Sequence, residues 1–407
     1  IDPLLTLTGI PEVKRSVTKC HMENMIAVTD KLAHELGKKS ADLNLVIAHL
    51  GGGVSFSWVS GGKIRYTMFD GEASFSPETD SVAFRKNEDD KLRCGALILD
   101  ECSMIDIGLM RAVLAAIGHS CRLVLVGDAD QLPSVGPGCV FRDIIRSGIA
   151  DAVRLTEIFR QKEESRIVIA AHQINHGELP DLRLNQGGFY FMRRREPEDA
   201  AETIVSLCRD RLPQNMGIPS DQIQVLTPTR KGPAGTENLN QLLQAALNPS
   251  MNGKNEFSFG GRIFREGDRV MQIRNDYDIV WKTDSLESGY GVFNGDIGFI
   301  RSIDPAAETL TIDFDGRLAD YIYEQASELD HAWATTVHKS QGSEYRAVVL
   351  AAAKTPPQLM YRGLLYTAVT RAAELLVTVG DEEVLRIMTE NARRSKRYSG
   401  LKIRLSV

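Results

Sequence analysis

The feature that constrains the fold most is a pair of short, wholly apolar runs separated by an amphipathic stretch. Residues 96–99 and 123–126 have the composition of strands that are buried on both faces. Between them, Leu109, Val113 and Ile117 lie at positions i, i+4 and i+8, as on one face of a helix. Two such strands joined by a helix predict a parallel βαβ unit with a right-handed crossover.

The same pattern of short apolar runs and amphipathic stretches recurs further along the chain. Apolar runs at 223–226, 347–350 and 375–379 predict more buried strands, and 166–175 and 361–371 predict helices. A layered α/β architecture accommodates them all. Residues 257–328 differ, because short alternating runs are separated there by Gly, Asn and Asp, which predicts a small β-barrel inserted into the α/β fold.

Composition excludes several classes of protein. The net charge of −6 over 407 residues excludes a highly basic DNA-coating protein but allows an enzyme with a locally basic groove. The six cysteines form no C-x-x-C pair, so we expect reduced thiols in a cytoplasmic protein. No stretch approaches ~20 consecutive apolar residues, so no membrane partner is expected.

Polar side chains follow both strands of the predicted βαβ unit. Asp100 and Glu101 come directly after the first strand, and Asp128 and Gln131 follow the second. The carboxyl ends of parallel strands share one edge of a sheet, so we expect these groups to line one crevice. There Asp100 could hold Mg²⁺ through water, Glu101 could polarise an attacking water, and Gln131 could donate to a γ-phosphate. The alternative for Asp100 and Glu101 is a pair of surface acids that end a strand.

Longer motifs then support a family resemblance. LILDECSM (97–104) and LVLVGDADQLPSVGPG (123–138) resemble motifs II and III of superfamily 1 helicases of the RecD-like branch. Further family motifs follow in order: LTEIFRQ (155–161) resembles motif IV, VLTPTRKGPAGTENLN (225–240) a stretch that contacts the DNA backbone, GDRVMQIRNDY (267–277) and VFNGDIGFI (292–300) an SH3-like insertion, ATTVHKSQGSEY (334–345) motif V, and LLYTAVTRA (364–372) motif VI.

The resemblance implies a fold class and a division into domains. The class is α/β, with RecA-like P-loop NTPase motor domains and an inserted SH3-like β-barrel. The implied domains are a truncated first motor domain at 81–155, a second motor domain at 156–256 and 329–407, and the barrel at 257–328.

The resemblance also implies an ATP-dependent 5′→3′ DNA helicase of recombination and repair, with ATP and Mg²⁺ as cofactors. Its partners would be single-stranded DNA and nuclease or recombination subunits. The implied catalytic residues are Glu101, Gln131, Arg160 and Arg371, with Asp100 on the metal and Asp128, Gln131, Arg160, Gly342, Glu344 and Arg371 around the nucleotide. The implied DNA contacts are Thr227, Thr229, Arg230, Lys231, Asn275, Tyr277, Thr336, His338 and Lys339.

The two arginines have simpler alternative roles. Arg160 could pair with Glu157 or Glu163, and Arg371 could complement the dipole at the end of a helix. The motif settings favour arginine fingers, since a permanent charge and a forked geometry suit phosphate oxygens.

One expected motif is missing. No G-x-x-x-x-G-K-[ST] phosphate cradle lies upstream of Asp100. Residues 1–80 instead resemble a fragment of butyrate kinase, of the acetate kinase (ASKHA-type) superfamily, on LTGIPEVKRSV (7–17), LNLVIAHLGGGVSFSWVSGGKI (43–64) and DGEASFSPE (70–78). We do not expect this segment to complete the first motor sheet.

The missing cradle leads us to expect an impaired helicase. Two alternatives remain open: a non-catalytic remnant that binds single-stranded DNA, and a butyrate or acetate kinase-like acyl phosphate transferase.

Overall fold

A computed structural model describes residues 87–154, 165–284, 287–393, 397 and 399–406. Before residue 87 it describes the backbone of five strands, which are β1 Leu45–His49, β2 Ser55–Ser60, β3 Lys63–Met68, β4 Ala73–Ser76 and β5 Ser81–Phe84. A helix that the sequence pattern predicts at 22–37 and the motif that carries Arg160 lie outside the described residues.

The first lobe contains the predicted βαβ unit. Its elements are β6 Ala96–Asp100, α1 Ile107–Ala116, β7 Arg122–Leu125 and α2 Val140–Ser147. β6 and β7 pair in parallel, and Leu97 and Leu99 are buried in the core beneath α1, as expected of a strand covered on both faces. Asp106 begins α1 by accepting a hydrogen bond from Leu109 N at 2.7 Å. The predicted βαβ unit is therefore confirmed.

The sheet of the first lobe extends beyond β6, which differs from our expectation. β1 pairs with β6 in parallel, and β2 and β3 continue the sheet as an antiparallel hairpin, in the order β3-β2-β1-β6-β7. An uncovered strand presents a row of free N–H and C=O groups, which any extended neighbouring segment can pair with. The segment before residue 80 thus supplies three strands to this sheet.

The remaining elements follow in chain order: α3 Arg166–His176, β8 Phe189–Arg193, α4 Pro197–Ser206, α5 Leu212–Met216, β9 Ile223–Thr227, α6 Thr236–Leu247, β10 Glu256–Phe259, β11 Arg262–Arg265, β12 Arg269–Gln272, β13 Asp276–Lys282, β14 Ser288–Val292, β15 Ile297–Asp304, β16 Thr309–Phe314, β17 Arg317–Ile322, β18 Leu329–His331, β19 Ala334–Thr336, β20 Tyr345–Ala352, α7 Arg362–Val369, β21 Ala372–Gly380, α8 Glu382–Glu390 and α9 Leu401–Leu405.

The second lobe is built on a parallel sheet in the order β19-β9-β20-β21-β8. Helices cover both faces, so alternate residues of one strand enter different cores: Val348 and Leu350 of β20 pack with α3 and α7, whereas Val349 packs with α4 and α6. The five sequence-predicted elements of this lobe are all present, with ends that shift by a few residues.

A β module, defined as residues 256–331, is inserted between β9 and β19. A seven-stranded antiparallel sheet in the order β14-β13-β17-β16-β15-β12-β18 and the hairpin β10–β11 share one core, in which Phe264, Phe314 and Tyr321 are fully buried. The insertion is therefore all-β, whereas the small barrel predicted for 257–328 stays a prediction.

A buried carboxylate joins the β module to the second lobe. Asp268 has no exposed surface and accepts hydrogen bonds from Gln244 Nε2 at 2.6 Å, Asn248 Nδ2 at 2.7 Å and Arg265 N at 2.8 Å, with His331 Nε2 at 3.3 Å. Since Gln244 lies in the last turn of α6 and Asn248 directly follows the helix, the carboxylate fixes this helix against the module. A buried carboxylate needs such partners to be tolerated.

Two further expectations from the sequence, which concern the cysteines and membrane-spanning helices, can be compared with the structure. The five cysteines in the described part of the chain are free thiols. Within the same residues, none of the helices combines the length and the apolar character that a membrane crossing requires.

Candidate functional site

The carboxylate pair lies where β6 ends. The Asp100 carboxylate accepts a hydrogen bond from the backbone N–H of Glu101 at 2.8 Å. Glu101 has a left-handed backbone, with φ 55° and ψ 36°. A residue with a Cβ adopts this conformation at a cost of about 1 kcal/mol, and such strain is commonly found at functional sites. The turn therefore holds the second acid in a set direction just beyond the strand.

The end of β7 lies directly against this turn. Cys102 N donates to the carbonyl of Val126 at 2.8 Å, and a Cβ on Gly127 would come within 3.0 Å of the backbone nitrogens of Cys102 and Ser103. A side chain at this position would require the backbone at residues 102 and 103 to shift by a few tenths of an ångström. The structure thus brings the two strand ends to one edge of the sheet, as the sequence analysis expected.

The loop after β7 reaches across to the second lobe. Asp128 accepts from its own loop at Asp130 N, at 2.9 Å, and from the hydroxyl of Tyr366 in α7, at 2.8 Å. Burial, followed by the charge of Asp128, raises the pKa of Tyr366 above its usual range, so the phenol remains a hydrogen-bond donor at neutral pH. Arg371 opposes this shift, which places its charge near the same tyrosine.

Leu132 contacts the second lobe through both its side chain and its backbone. Its side chain is 1 % exposed and belongs to the core formed by α3, α7 and β20. Its backbone N–H donates to Thr367 Oγ1 at 3.0 Å, and its carbonyl accepts from Gln341 Nε2 at 2.9 Å. A first-lobe loop is thereby connected to both of the second-lobe segments that resemble motifs V and VI.

A cavity of about 430 Å³ opens beside this contact. Gln131 from the first lobe and His338 from the second both line it, with Asp130 and Asn175 nearby. Burial lowers the pKa of His338 below 6.5, so its ring is neutral at pH 7. Four arginines complete the charged part of the wall: Arg142, Arg362, Arg393 and Arg397. The cavity is therefore suited to an anionic ligand.

The structure commits Arg371 to its own lobe. Its guanidinium is 6 % exposed and donates to the carbonyls of Ser343 at 2.9 Å and Thr367 at 3.3 Å, and to Thr370 Oγ1 at 3.3 Å. This arrangement resembles the alternative role weighed above, in which an arginine satisfies carbonyls at a helix end. Gly342 forms the preceding turn with φ 76°, and the neighbouring Glu344 is exposed.

The expected DNA contacts around residue 230 fall into two groups. The Thr227 side chain is 1 % exposed and its hydroxyl donates to the Ala234 carbonyl at 2.8 Å, so it is used inside the lobe. Thr229 closes the loop by donating to Lys231 O at 3.4 Å. Arg230, which lies 3.8 Å from Glu237, and Lys231 are both exposed. The two cations are thus available to a ligand.

The other expected DNA contacts lie on two surfaces. Lys339 pairs with Asp330 at 3.0 Å, and Thr336 Oγ1 accepts from Lys339 N at 3.3 Å, so both stabilise the turn after β19. In the β module, Asn275 donates to the hydroxyl of Tyr277 at 3.3 Å, and the Tyr277 ring packs edge-on against Phe293. Tyr277 is half-buried and therefore keeps part of its ring accessible.

Several residues of the inter-lobe contact were not singled out from the sequence. Tyr366 and Thr367 lie inside LLYTAVTRA, and Leu132 directly follows Gln131, but nothing in their spacing shows that they meet. Arg397 lies in a basic stretch of the sequence, 393–404, where nothing in its neighbours indicates that it lines the cavity. The one available signal was the strongly apolar Leu132 within a polar loop.

The donor set fits one kind of metal binding. Among the residues that the structure describes, no group of three or more His, Cys, Asp or Glu side chains is arranged to hold an ion. A site with Asp100 as its protein carboxylate suits Mg²⁺, which keeps waters and takes further oxygens from a bound phosphate. The geometry fits a metal that arrives with a nucleotide better than a permanent metal centre.

Three family models match the chain. A model described as the SH3 domain of ATP-dependent RecD-like DNA helicases matches residues 239–314, an AAA domain matches 24–189, and a UvrD-like helicase C-terminal domain matches 331–379. The AAA match begins inside the segment that resembles butyrate kinase, and neither these models nor the relatives below support that resemblance.

Known relatives agree with the family models. An ATP-dependent RecD2 DNA helicase of Deinococcus radiodurans is 34 % identical over 316 residues, which cover 77 % of this chain and 40 % of the relative. The RecD subunit of the RecBCD enzyme of Mycobacterium tuberculosis is 28 % identical, with coverages of 79 % and 55 %. The chain therefore spans about half the length of these relatives.

Among solved structures, a Bacteroides Pif1 helicase crystallised with ADP-AlF3 and single-stranded DNA matches at 19 % identity and a TM-score of 0.44. That match covers 86 % of this chain and 84 % of the other.

Proposed function

We propose that the chain belongs to the RecD-like DNA helicases and is the core of an ATP-dependent 5′→3′ DNA motor that acts in recombination and repair, which the family models and the relatives support. Its partners are single-stranded DNA and nuclease or recombination subunits. The second lobe and the β module form the larger part of this core.

The observation that carries the proposal is the bridge between the lobes. Leu132 binds Gln341 and Thr367, and Asp128 binds Tyr366, so the loop beside the candidate catalytic acids is coupled to two separate second-lobe segments. A motor needs this kind of coupling, because a change at the nucleotide must be transmitted to the surface that holds DNA.

The proposed roles follow from position. Asp100 would hold Mg²⁺ with the phosphate oxygens of ATP, Glu101 would orient the attacking water, and Gln131 would donate to the γ-phosphate. Bound ATP with its metal supplies the phosphoryl group that is transferred. Arg371 can serve as an arginine finger after it exchanges its carbonyl partners for phosphate oxygens, and Arg160 is proposed for the same role from its motif.

We further propose that this chain alone turns over ATP poorly. The sequence carries no phosphate-cradle signature before Asp100, and a backbone nest with its lysine supplies most of the binding to β- and γ-phosphates. Arginines of the second lobe act from the opposite side of the cleft and therefore cannot replace the cradle.

The decisive experiment measures DNA binding and ATP turnover on the same preparation. We expect salt-dependent binding of a labelled single-stranded oligonucleotide, and single-strand-stimulated ATP turnover near background that Glu101→Gln leaves unchanged. Turnover at ordinary helicase rates that is lost in Glu101→Gln would overturn the impairment. A folded sample that binds no single strand at low salt would overturn the DNA motor assignment itself.

A second candidate function, a non-catalytic single-strand-binding module, is favoured by one observation. The exposed cations Arg230 and Lys231 lie on a second lobe whose sheet is covered by helices on both faces. This candidate predicts strand binding without any nucleotide effect on affinity. The motor proposal predicts that ATP with Mg²⁺ changes the affinity, even where turnover is slow.

A further inference from the structure

Near its end, after the elements of the second lobe, the described chain contacts the first lobe again. After α8 in the second lobe, Asn391 Nδ2 donates to Met360 O at 2.6 Å, and Asn391 O accepts from Arg362 N at 2.9 Å. Beyond this anchor, α9 packs against α2 of the first lobe. Residues 397 and 399–405 therefore lie against the first lobe, and Arg397 lines the same cavity as Leu132.

The first lobe receives this segment through both apolar and polar contacts. Leu401 packs against the core that contains Leu97 and Phe141. Ser399 Oγ donates to Asp143 Oδ2 at 3.3 Å, and Ser399 Cβ would lie 3.8 Å from a Cβ on Gly138. A solvated tail would make no such contacts, so this segment is part of the folded lobe.

Arg397 makes the most specific contact of the segment. One nitrogen, Nη1, donates to the carbonyl of Gly136, to the carbonyl of Gly138 at 3.2 Å and to Ser134 Oγ at 3.4 Å. Ser134 is itself buried and donates back to the carbonyls of Gly136 and Gly138. Gly138 has φ 93°, which allows the turn to direct its carbonyls toward one point. A single nitrogen of Arg397 thus holds Ser134 and the carbonyls of Gly136 and Gly138 together.

The same arginine also lies close to the second lobe. Burial raises the pKa of Tyr361, at the start of α7, and the charge of Arg397 opposes that shift. Arg397 and Gln131 line the same cavity. The loop 131–138 is consequently held at one end by Gln341 and Thr367, through Leu132, and at the other end by Arg397.

We propose that residues 397 and 399–405 form a latch between the lobes, and that Arg397 is a positioning residue that fixes the loop carrying Gln131. The latch itself is a property of this fold, whereas its consequence for Gln131 rests on the proposed function. Arg397 acts through backbone carbonyls and through Ser134, and it stabilises a single arrangement of residues 132–138. If the cleft between the lobes opens, Arg397 must either break its hydrogen bonds to this loop or move together with the loop.

Hydrogen exchange measured by mass spectrometry tests the latch without nucleotide or DNA. In Arg397→Ala we expect exchange in peptides that cover 131–141 to become about tenfold faster, because a charge-assisted contact to several acceptors is lost. Peptides from β21 should be unchanged, which shows that the fold is intact. Arg404→Ala, an exposed arginine of α9, is the matched control and should behave like the wild type.

Arg397→Lys distinguishes a positioning role of this side chain from a general requirement that the segment be present. All three contacts come from one nitrogen, and a lysine ammonium carries three donors on one nitrogen, so we expect Arg397→Lys to restore slow exchange. Leu401→Ser, which weakens the docking of α9, should loosen the same loop as Arg397→Ala.

Three outcomes would overturn the inference: equal exchange in the wild type and Arg397→Ala, equal acceleration in Arg404→Ala, or failure of the lysine variant to slow the exchange. None of them depends on ATP turnover or DNA binding, so failure of the latch and failure of the proposed function are distinguishable.

Discussion

The hydroxyl of Tyr366 lies 2.8 Å from Oδ2 of Asp128 and donates a hydrogen bond from the second lobe to the first. Tyr366, in α7, is five residues before Arg371 in the sequence. Asp128, in the loop after β7, is three residues before Gln131. The bond therefore joins the two segments that carry the candidate phosphate-binding groups.

A double-mutant cycle measures this bond. We expect Tyr366→Phe and Asp128→Asn each to lower the free energy of unfolding, and to show a coupling of about 1 kcal/mol, since a hydrogen bond to a partly exposed charged group lies at the lower end of the usual range. Urea denaturation of the four proteins gives the coupling. Tyr290→Phe, at an exposed tyrosine, serves as the control. Strictly additive losses would show that the two lobes do not communicate through this contact.

His338 makes stability depend on pH in the mildly acidic range. Burial lowers its pKa in the folded state below 6.5, so folding favours the neutral ring. The contribution is complete above the unfolded pKa of about 6.5 and is lost as the pH falls below that value and through the lowered folded pKa. We expect the Tm of His338→Gln to fall less than the Tm of the wild type when the pH is lowered from 7.5 to 5. His119→Gln, at an exposed histidine, should follow the wild type, and an identical acid response in His338→Gln would contradict the prediction.

Asp268 should be among the most sensitive positions outside the cleft. Asp268→Ala removes one acceptor from each of the buried Gln244 and Asn248 amides and one from Arg265 N, so we expect a loss of about 3 kcal/mol in the free energy of unfolding. Chemical denaturation followed by circular dichroism measures it. Asp278→Ala, at an exposed position of β13, should change stability by less than about 0.5 kcal/mol. Equal effects of the two substitutions would argue against the buried network.

Lys231 tests the DNA-facing surface. If this exposed cation contacts one phosphate, Lys231→Ala should weaken single-strand binding uniformly across sequences and reduce the slope of log K against log salt by about one. Fluorescence anisotropy over a salt series measures the slope. Arg301→Ala removes an equal charge that is paired with Asp313 in the β module, and we expect no change in slope there. A slope that Lys231→Ala does not alter would remove this residue from the interface.

Local pattern predicted the fold well where a strand is buried on both faces. Val348 and Leu350 alternate with Val349 between two cores, so every residue of that run is apolar, and the run is recognisable without any partner. The β module was recognisable for the opposite reason, because its strands alternate and are separated by turn residues. In both cases the signal lies within ten residues of the chain.

The inter-lobe contacts could not be predicted in the same way. Leu132 and Thr367 are 235 positions apart, and their bond depends on how two separately folded lobes meet. Arg397 has neighbours in the sequence that indicate a solvated tail, yet its partners are carbonyls more than 250 positions earlier. Arg371 shows the limit for single residues: its motif indicates a phosphate ligand, whereas in this structure it binds the carbonyls of Ser343 and Thr367.

The left-handed backbone at Glu101 has a consequence for how the protein can evolve. Glycine adopts that conformation freely, so replacing this acid with glycine relieves local strain and at the same time deletes the group proposed to activate water. At position 101, therefore, protein stability favours one residue and the proposed hydrolysis requires another. A lineage released from the demand for hydrolysis would gain by exchanging this glutamate for glycine, because the glutamate keeps the strained backbone.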